Sequence, residues 1–257
     1  LLKGARERSN DILNIRYKKN QNIEQIVRGR AWVVDEILKL VWKALNWPDP
    51  SEICLIAVGG YGRGELLPHS DVDLLVLTKN GWHKKYRDYI SSFLTMLWDI
   101  GLEPGHSVRS IRQCKQEASK DITVATALME SRVLIGNSNL YTTMYNVTQN
   151  ERIWPVKKFV LAKLNEQNVR HRKYLGVDYA LEPNVKTSPG GLRDIQTISW
   201  VCKRKFGTNS FKDLVNFGFL TEQEHSSLKK GQEFLWKIRY GLHMLECRSE
   251  DRLLFEK

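Results

Sequence analysis

The 257-residue chain, 42% hydrophobic and 27% charged, is long enough to bury a core as one large or two modest domains and too apolar for extended disorder. Forty Lys and Arg against 29 Asp and Glu leave a net charge of +11, which favours polyanionic partners as a class without choosing among nucleotides, nucleic acid or an acidic protein. No apolar run is long enough to predict a membrane helix, and Cys54, Cys114, Cys202 and Cys247 are too widely spaced for a zinc motif, which suggests a reduced, cytoplasmic protein.

From Asn22 to Asn46 the apolar residues Ile23, Ile26, Val27, Val34, Ile37, Leu38, Val41 and Leu45 recur at helical spacing behind a capping asparagine. Trp47-Pro48-Asp49-Pro50 ends that helix. The branched apolar runs Ile53 to Val58 and Val72 to Leu77 predict two buried strands joined by a glycine-rich turn. His83 to Ile100 reads as an amphipathic helix closed by Gly101, and the segment around His106 to Ile111 as a returning strand. Ser119 to Ile135 is predicted as one further helix, with Ser119 as cap and Gly136 beyond its end. Trp154 to Tyr174, with Pro155 in the first turn, and Gly191 to Phe206 are predicted helical. Thr221-Glu222-Gln223-Glu224 is a capping box that opens a last helix reaching about Cys247. Polar residues collect near 140–152, and the domain boundary is drawn there: 1–145 mixes strands and helices, and 146–257 is helical.

The informative stretch is GGYGRGELLPHSDVDLLVL, residues 59–77. Side chains alternate along a strand, so Asp71 and Asp73 point to one face while Val72 turns into the core. Two carboxylates on one face repel unless a cation lies between them, and hard oxygen ligands suit Mg²⁺ or Mn²⁺. Gly59 and Gly60 let backbone amides approach a triphosphate, and Arg63 offers a fork of donors to a phosphate. A lone D-x-D would read as a strand end in solvent; the G-G turn directly after a branched apolar strand is what gives this pair its meaning. Other phosphate motifs are excluded: there is no G-K-[ST], and the glycines at 60, 62 and 64 lack G-x-G-x-x-G spacing. Farther on, the S-P-G-G turn runs straight into a helix and gathers Lys186, Gly190, Gly191, Arg193 and Asp194, a pattern shared by anion sites and by ordinary helix starts. His69 and His106 have no partner at defined spacing.

The two motifs resemble the signature of the DNA polymerase β-type nucleotidyltransferase superfamily. The full wording GGYGRGELLPHSDVDLL is similar to the bacterial bifunctional uridylyltransferase/uridylyl-removing enzymes that modify the nitrogen-regulatory PII protein. LWDIGLEPGHSVRS at 97–110, DITVATALMESRVLIG at 121–136, LEPNVKTSPGGLRDIQ at 181–196 and RYGLHMLECRSEDRLLFE at 239–256 extend the likeness over nearly the whole chain.

The resemblance implies an α+β nucleotidyltransferase fold, a small mixed sheet flanked by helices, followed by a mainly α-helical domain. It implies metal-dependent transfer of UMP from UTP to a tyrosine of PII with release of pyrophosphate. Asp71 and Asp73 would hold the metal, and Glu103, just before the strand around His106, is chosen for a third carboxylate over Asp99, late in the preceding helix, with the shell beyond the two aspartates left open. Gly59, Gly60, Arg63 and Ser70 are expected on the nucleotide, with Lys186, Gly190, Gly191, Arg193 and Asp194 helping to hold it. Full-length relatives continue into an HD hydrolase and ACT domains. None of the six histidines here is followed by Asp, so neither UMP removal nor direct glutamine control is expected. The metal motif does not encode the base, which leaves a protein adenylyltransferase as an alternative. A nucleotide-binding or nucleic-acid-binding module without turnover is a further one, although no RNA-binding wording with regularly placed stacking aromatics is visible.

Overall fold

The structure, a computed structural model, describes residues 1–79, 84–175, 182–208 and 210–255. Its elements in chain order begin with α1 (Leu2–Lys18) and α2 (Ile23–Ala44). The periodic residues of α2 are the ones it buries, and the Asn22 side chain accepts from the Gln25 amide at 3.0 Å to cap it. The helix stops two residues earlier than the sequence predicts. Leu45 turns extended, and Trp47 folds back to stack on Trp42, with ring centroids 4.0 Å apart and its indole N–H donating to the Trp42 carbonyl at 3.0 Å.

Then follow β1 (Ile53–Ala57), α3 (Gly59–Gly62), β2 (Asp73–Thr78), α4 (Lys84–Asp99) and β3 (Gly105–Ser110). His83, the first residue of the helix expected there, lies outside the described residues. After these come α5 (Ile111–Lys120), α6 (Ile122–Met129), β4 (Arg132–Gly136) and α7 (Ser138–Thr148). The sheet order is β3-β2-β1-β4; β1 is antiparallel to β2 and β4, and β2 is parallel to β3. One face of β1 and β2 offers Leu55, Ala57, Leu74 and Val76 to the core built with α2 and α4. The alternate residues Cys54, Ile56, Leu75 and Leu77 are equally buried. Burial on both faces is why these strands read as unbroken apolar runs.

The single helix expected over Ser119–Ile135 is two elements. Asp121 accepts from the Thr123 amide at 2.7 Å and starts α6, which ends at Met129. Val133 and Ile135 then pair with Ile56 and Leu55 as β4. Branched residues at helical spacing carry both readings, and here the open edge of β1, with unpaired backbone groups to satisfy, selects the strand. α5 has its own capping box, Ser110 with Gln113, which went unread in the sequence.

The remaining elements are α8 (Val156–Leu175), α9 (Leu192–Phe206), α10 (Phe211–Asn216) and α11 (Glu222–Glu246). The Thr221–Glu224 capping box is formed as the sequence predicts. Contacts divide the chain into Leu1–Leu66 with Ser70–Ile153, and Leu67–His69 with Trp154–Lys257. The expected boundary at 145/146 therefore falls inside α7, whose Leu140, Met144 and Thr148 are buried; polar composition there belongs to the outer face of a packed helix. In the second unit Lys163 is buried with its ammonium 4.1 Å from the centre of the Trp200 ring and 2.8 Å from Glu166, joining α8 to α9.

Candidate active site

The glycine turn leaves β1 at Val58 and coils into the single turn α3. Gly59 has φ of +58°, a conformation that disfavours any side chain. Val58 N–H donates to the Asp73 carbonyl at 3.1 Å, which ties the start of the turn to the start of β2. On the other side Asp73 pairs with Gly105 of β3. The Asp73 carboxylate is wedged between these backbones: a β-carbon on Gly59 would lie 3.5 Å from Oδ2, and one on Gly105 would lie 2.6 Å from Oδ1.

Asp71 and Asp73 differ more than strand alternation predicts. Asp73 is the first residue of β2 and half-buried; Asp71 sits two residues ahead of the strand and is exposed. Val72 between them is buried in the core, as expected. Ser70 is half-buried in the approach to the strand. Glu103 is exposed in the loop two residues before Gly105, and among the described residues no three His, Cys, Asp or Glu side chains gather closely enough to hold a metal ion. Two carboxylates suit Mg²⁺, which keeps several waters and binds through one or two carboxylates and substrate phosphates.

Arg63 is placed otherwise than the sequence suggests. Its Nε donates to Glu65 at 2.9 Å and its Nη1 to Glu130 at 2.7 Å, so the guanidinium ties α3 to the end of α6. Gly62 makes the same junction close. A β-carbon there would fall 2.4 Å from the Glu130 carbonyl oxygen. A second clamp was not visible in the sequence. Arg132 donates to both oxygens of Asp35 at 2.7 and 2.8 Å, and Tyr61 of α3 donates its hydroxyl to the same carboxylate. Burial, then the Asp35 charge, push the Tyr61 phenol well above its ordinary range, so it stays a donor. α2, α3 and β4 are thereby locked together beside the turn.

A pocket of about 410 Å³ opens from Gly59 and Asp73 and runs between β3 and α6, past Ser107 and Arg109 on one side and Val124 and Leu128 on the other. That is within the usual range of small-ligand sites, roughly 300–1,000 Å³.

The second predicted group lies in the other unit. The Asp194 carboxylate accepts from the Gly190 amide at 2.8 Å, from Arg170 at 2.6 Å and from Gln167 at 2.9 Å, with His171 Nε2 at 3.1 Å. Burial would raise this carboxyl, but the hydrogen bonds of Gln167, Gly190 and Arg170 outweigh it and hold it below the usual carboxylate range. Gly191 caps α9, and the Arg193 amide donates to the Lys186 carbonyl at 2.8 Å. The Lys186 ammonium lies 3.8 Å from Asp251, and the Arg193 guanidinium 5.3 Å from the centre of the Trp200 ring. The structure thus brings Gly190, Gly191 and Asp194 together in one turn and points the charges of Lys186 and Arg193 to protein partners. Arg170 and His171, five and four residues before the end of α8, belong to this cluster and were missed; only their spacing on one helix hinted at it.

The glycine turn that leaves β1 and the carboxylate that opens β2 lie within residues 38–124, which match the Nucleotidyltransferase domain family. Residues 158–257 match the family described as GlnD PII-uridylyltransferase. The chain is 52% identical over 254 residues to the bifunctional uridylyltransferase/uridylyl-removing enzyme of Stutzerimonas stutzeri, covering 99% of this chain and 28% of that protein. Its counterpart in Ectopseudomonas mendocina is 53% identical over the same shares, and that of Azotobacter vinelandii 52% identical over 96% of this chain and 27% of the relative. The chain is similar to these enzymes over nearly all of its own length, and it spans a little over a quarter of the length of these curated relatives.

Proposed function

We propose that the chain carries the metal-dependent transfer of UMP from UTP to a tyrosine hydroxyl of a PII-type regulatory protein, with release of pyrophosphate. The observation that carries this reading is the Asp73 carboxylate held against the Gly59 turn at the mouth of a ligand-sized pocket. The names of the relatives support uridylyl as the group moved.

Asp73, fixed by backbone on two sides, and the more accessible Asp71 are the proposed ligands of Mg²⁺ or Mn²⁺. Such a cation, when bound, neutralises charge on the triphosphate and its leaving group. Gly59 and Gly60 bring main-chain amides to the phosphates, with Ser70 in the adjoining loop. Arg63 acts here as a positioning residue, because its pairs with Glu65 and Glu130 hold α3 in place. The phenolic oxygen of the acceptor attacks the α-phosphorus, an O–P bond forms, the bond to the β-phosphate oxygen breaks, and pyrophosphate departs. A phenol has a pKa of about 10, so its proton must leave as the O–P bond forms, and a carboxylate at the site takes it and passes it to solvent. The Lys186–Asp194 turn is proposed to contribute to nucleotide binding through its backbone, its acidic residue being bound internally.

Incubation with PII protein and labelled UTP or ATP tests the reading. UMP on a PII tyrosine is expected; labelling by ATP and not by UTP would replace it with an adenylyltransferase.

A further inference from the structure

The metal motif leaves the base unread, and the pocket beyond it has the features to read one. Asp73 pairs with Gly105 and Leu77 with Arg109 in the parallel β2–β3 ladder. Gly105, Ser107 and Arg109 therefore share the sheet face of Asp73, and four residues of strand, about 13 Å, separate the two ends. Across the groove α6 presents Val124, Ala127 and Leu128, a largely apolar wall. A flat ring gains from such a wall, whereas a triphosphate does not.

At the far end is an arginine with no counter-ion among the described residues. Half-buried Arg109 makes no hydrogen bond or ion pair among the described residues, and its charge acts on the buried Cys114 thiol. The Ser107 hydroxyl, midway along the strand, is likewise without a hydrogen bond among them. Every other arginine described around the glycine turn, Arg63 and Arg132, is spent on a carboxylate. A partly desolvated guanidinium left open in a pocket calls for an acceptor from a ligand.

We propose that this groove is the nucleoside site and that Arg109 reads the uracil ring through its O4 carbonyl. This deepens the reading of the chain as a uridylyltransferase and rests on it. The chemistry is selective because a guanidinium only donates. Uracil presents a carbonyl oxygen at C4; cytosine presents an amino group there, which would face the guanidinium donor to donor. Ser107, closer to the phosphate end, is placed to meet the ribose.

Calorimetric titration of the purified chain with UTP and with CTP, each with Mg²⁺ and without acceptor protein, tests this. Wild type is expected to bind UTP at least about tenfold more tightly than CTP, as one charged hydrogen bond supplies. R109Q, whose amide both donates and accepts, is expected to bring the two within about threefold, chiefly through weaker UTP binding. Equal binding by wild type, or an undiminished preference in R109Q, overturns the assignment while UMP transfer in the labelling experiment would still stand. Binding of neither nucleotide overturns both. V124W tests the groove independently of Arg109: filling it should abolish UTP binding and leave inorganic tripolyphosphate bound, and unchanged UTP binding would refute the site.

Discussion

Gly105 approaches Asp73 so closely that a β-carbon built on it lies 2.6 Å from Asp73 Oδ1. The group in the way is the tip of a short side chain, which can rotate aside; the backbone need not move. Stability and activity should therefore part company in G105A. The fold is expected to lose less than about 1 kcal/mol, whereas displacement of the carboxylate by about 1 Å should lower transfer on the order of 100-fold. Unfolding and initial-rate measurements on one preparation decide it, and a variant as active as wild type would show that Asp73 does not need this placement.

The two aspartates should respond together. In D71N/D73N the charge that holds the cation is gone, and UMP transfer is expected to fall by about 10³-fold or more, with circular dichroism unchanged. Asp71 is exposed, so its replacement alone should be silent in unfolding experiments. Retained transfer in the double variant would move the metal site elsewhere.

The Arg132–Asp35 pair is mostly buried, with side-chain exposures of 31% and 13%. Removing the arginine strands a carboxylate and a phenol together. R132M is expected to cost about 3 kcal/mol in urea unfolding, with Y61F, which removes only one donor, costing about 1 kcal/mol. A smaller loss for R132M than for Y61F would show that the ion pair is not what locks the turn.

Asp251 accepts from Arg239 at 2.6 Å and from His243 Nε2 at 3.1 Å. Burial works to raise its carboxyl, but His243 and Arg239 prevail and hold it well below the usual carboxylate range. A depressed carboxyl contributes stability that is complete above its unfolded pKa, about 3.9, and is lost as pH falls through that value towards the folded one. The urea midpoint of wild type should therefore begin to drop below about pH 5 and keep dropping below about pH 3, and that of D251N should start lower and change less. Parallel pH profiles would assign acid sensitivity to other carboxylates, Asp194 first among them.

Local pattern carried much of the architecture. The Asn22 and Thr221 caps, the β1 and β2 runs and the glycine turn are each decided by neighbours in sequence, and the structure places them where spacing predicts. What escaped was set by distant residues. Arg63 reads as a phosphate ligand until Glu130, 67 positions on, takes its guanidinium. Asp35 drew no attention in the sequence, because its partner Arg132 lies 97 positions on. β4 looks like the tail of a helix because its strand character depends on the free edge of β1. Asp71 left the strand for a similar reason: the ladder with β3 begins only at Asp73, so alternation has no register to act on before it.

β2 is an inner strand, bonded to β1 and β3 along its length. Its first residue thus carries the Asp73 carboxylate on a backbone tied on both sides, to Val58 and to β3. Little conformational entropy remains there to be lost when substrate arrives, so the chemical end of the pocket is organised in advance. In the proposed transfer, any movement that admits substrate or releases pyrophosphate would draw on segments outside the ladder. Turnover limited by such movement would slow in viscous solvent, even though the carboxylate itself stays still.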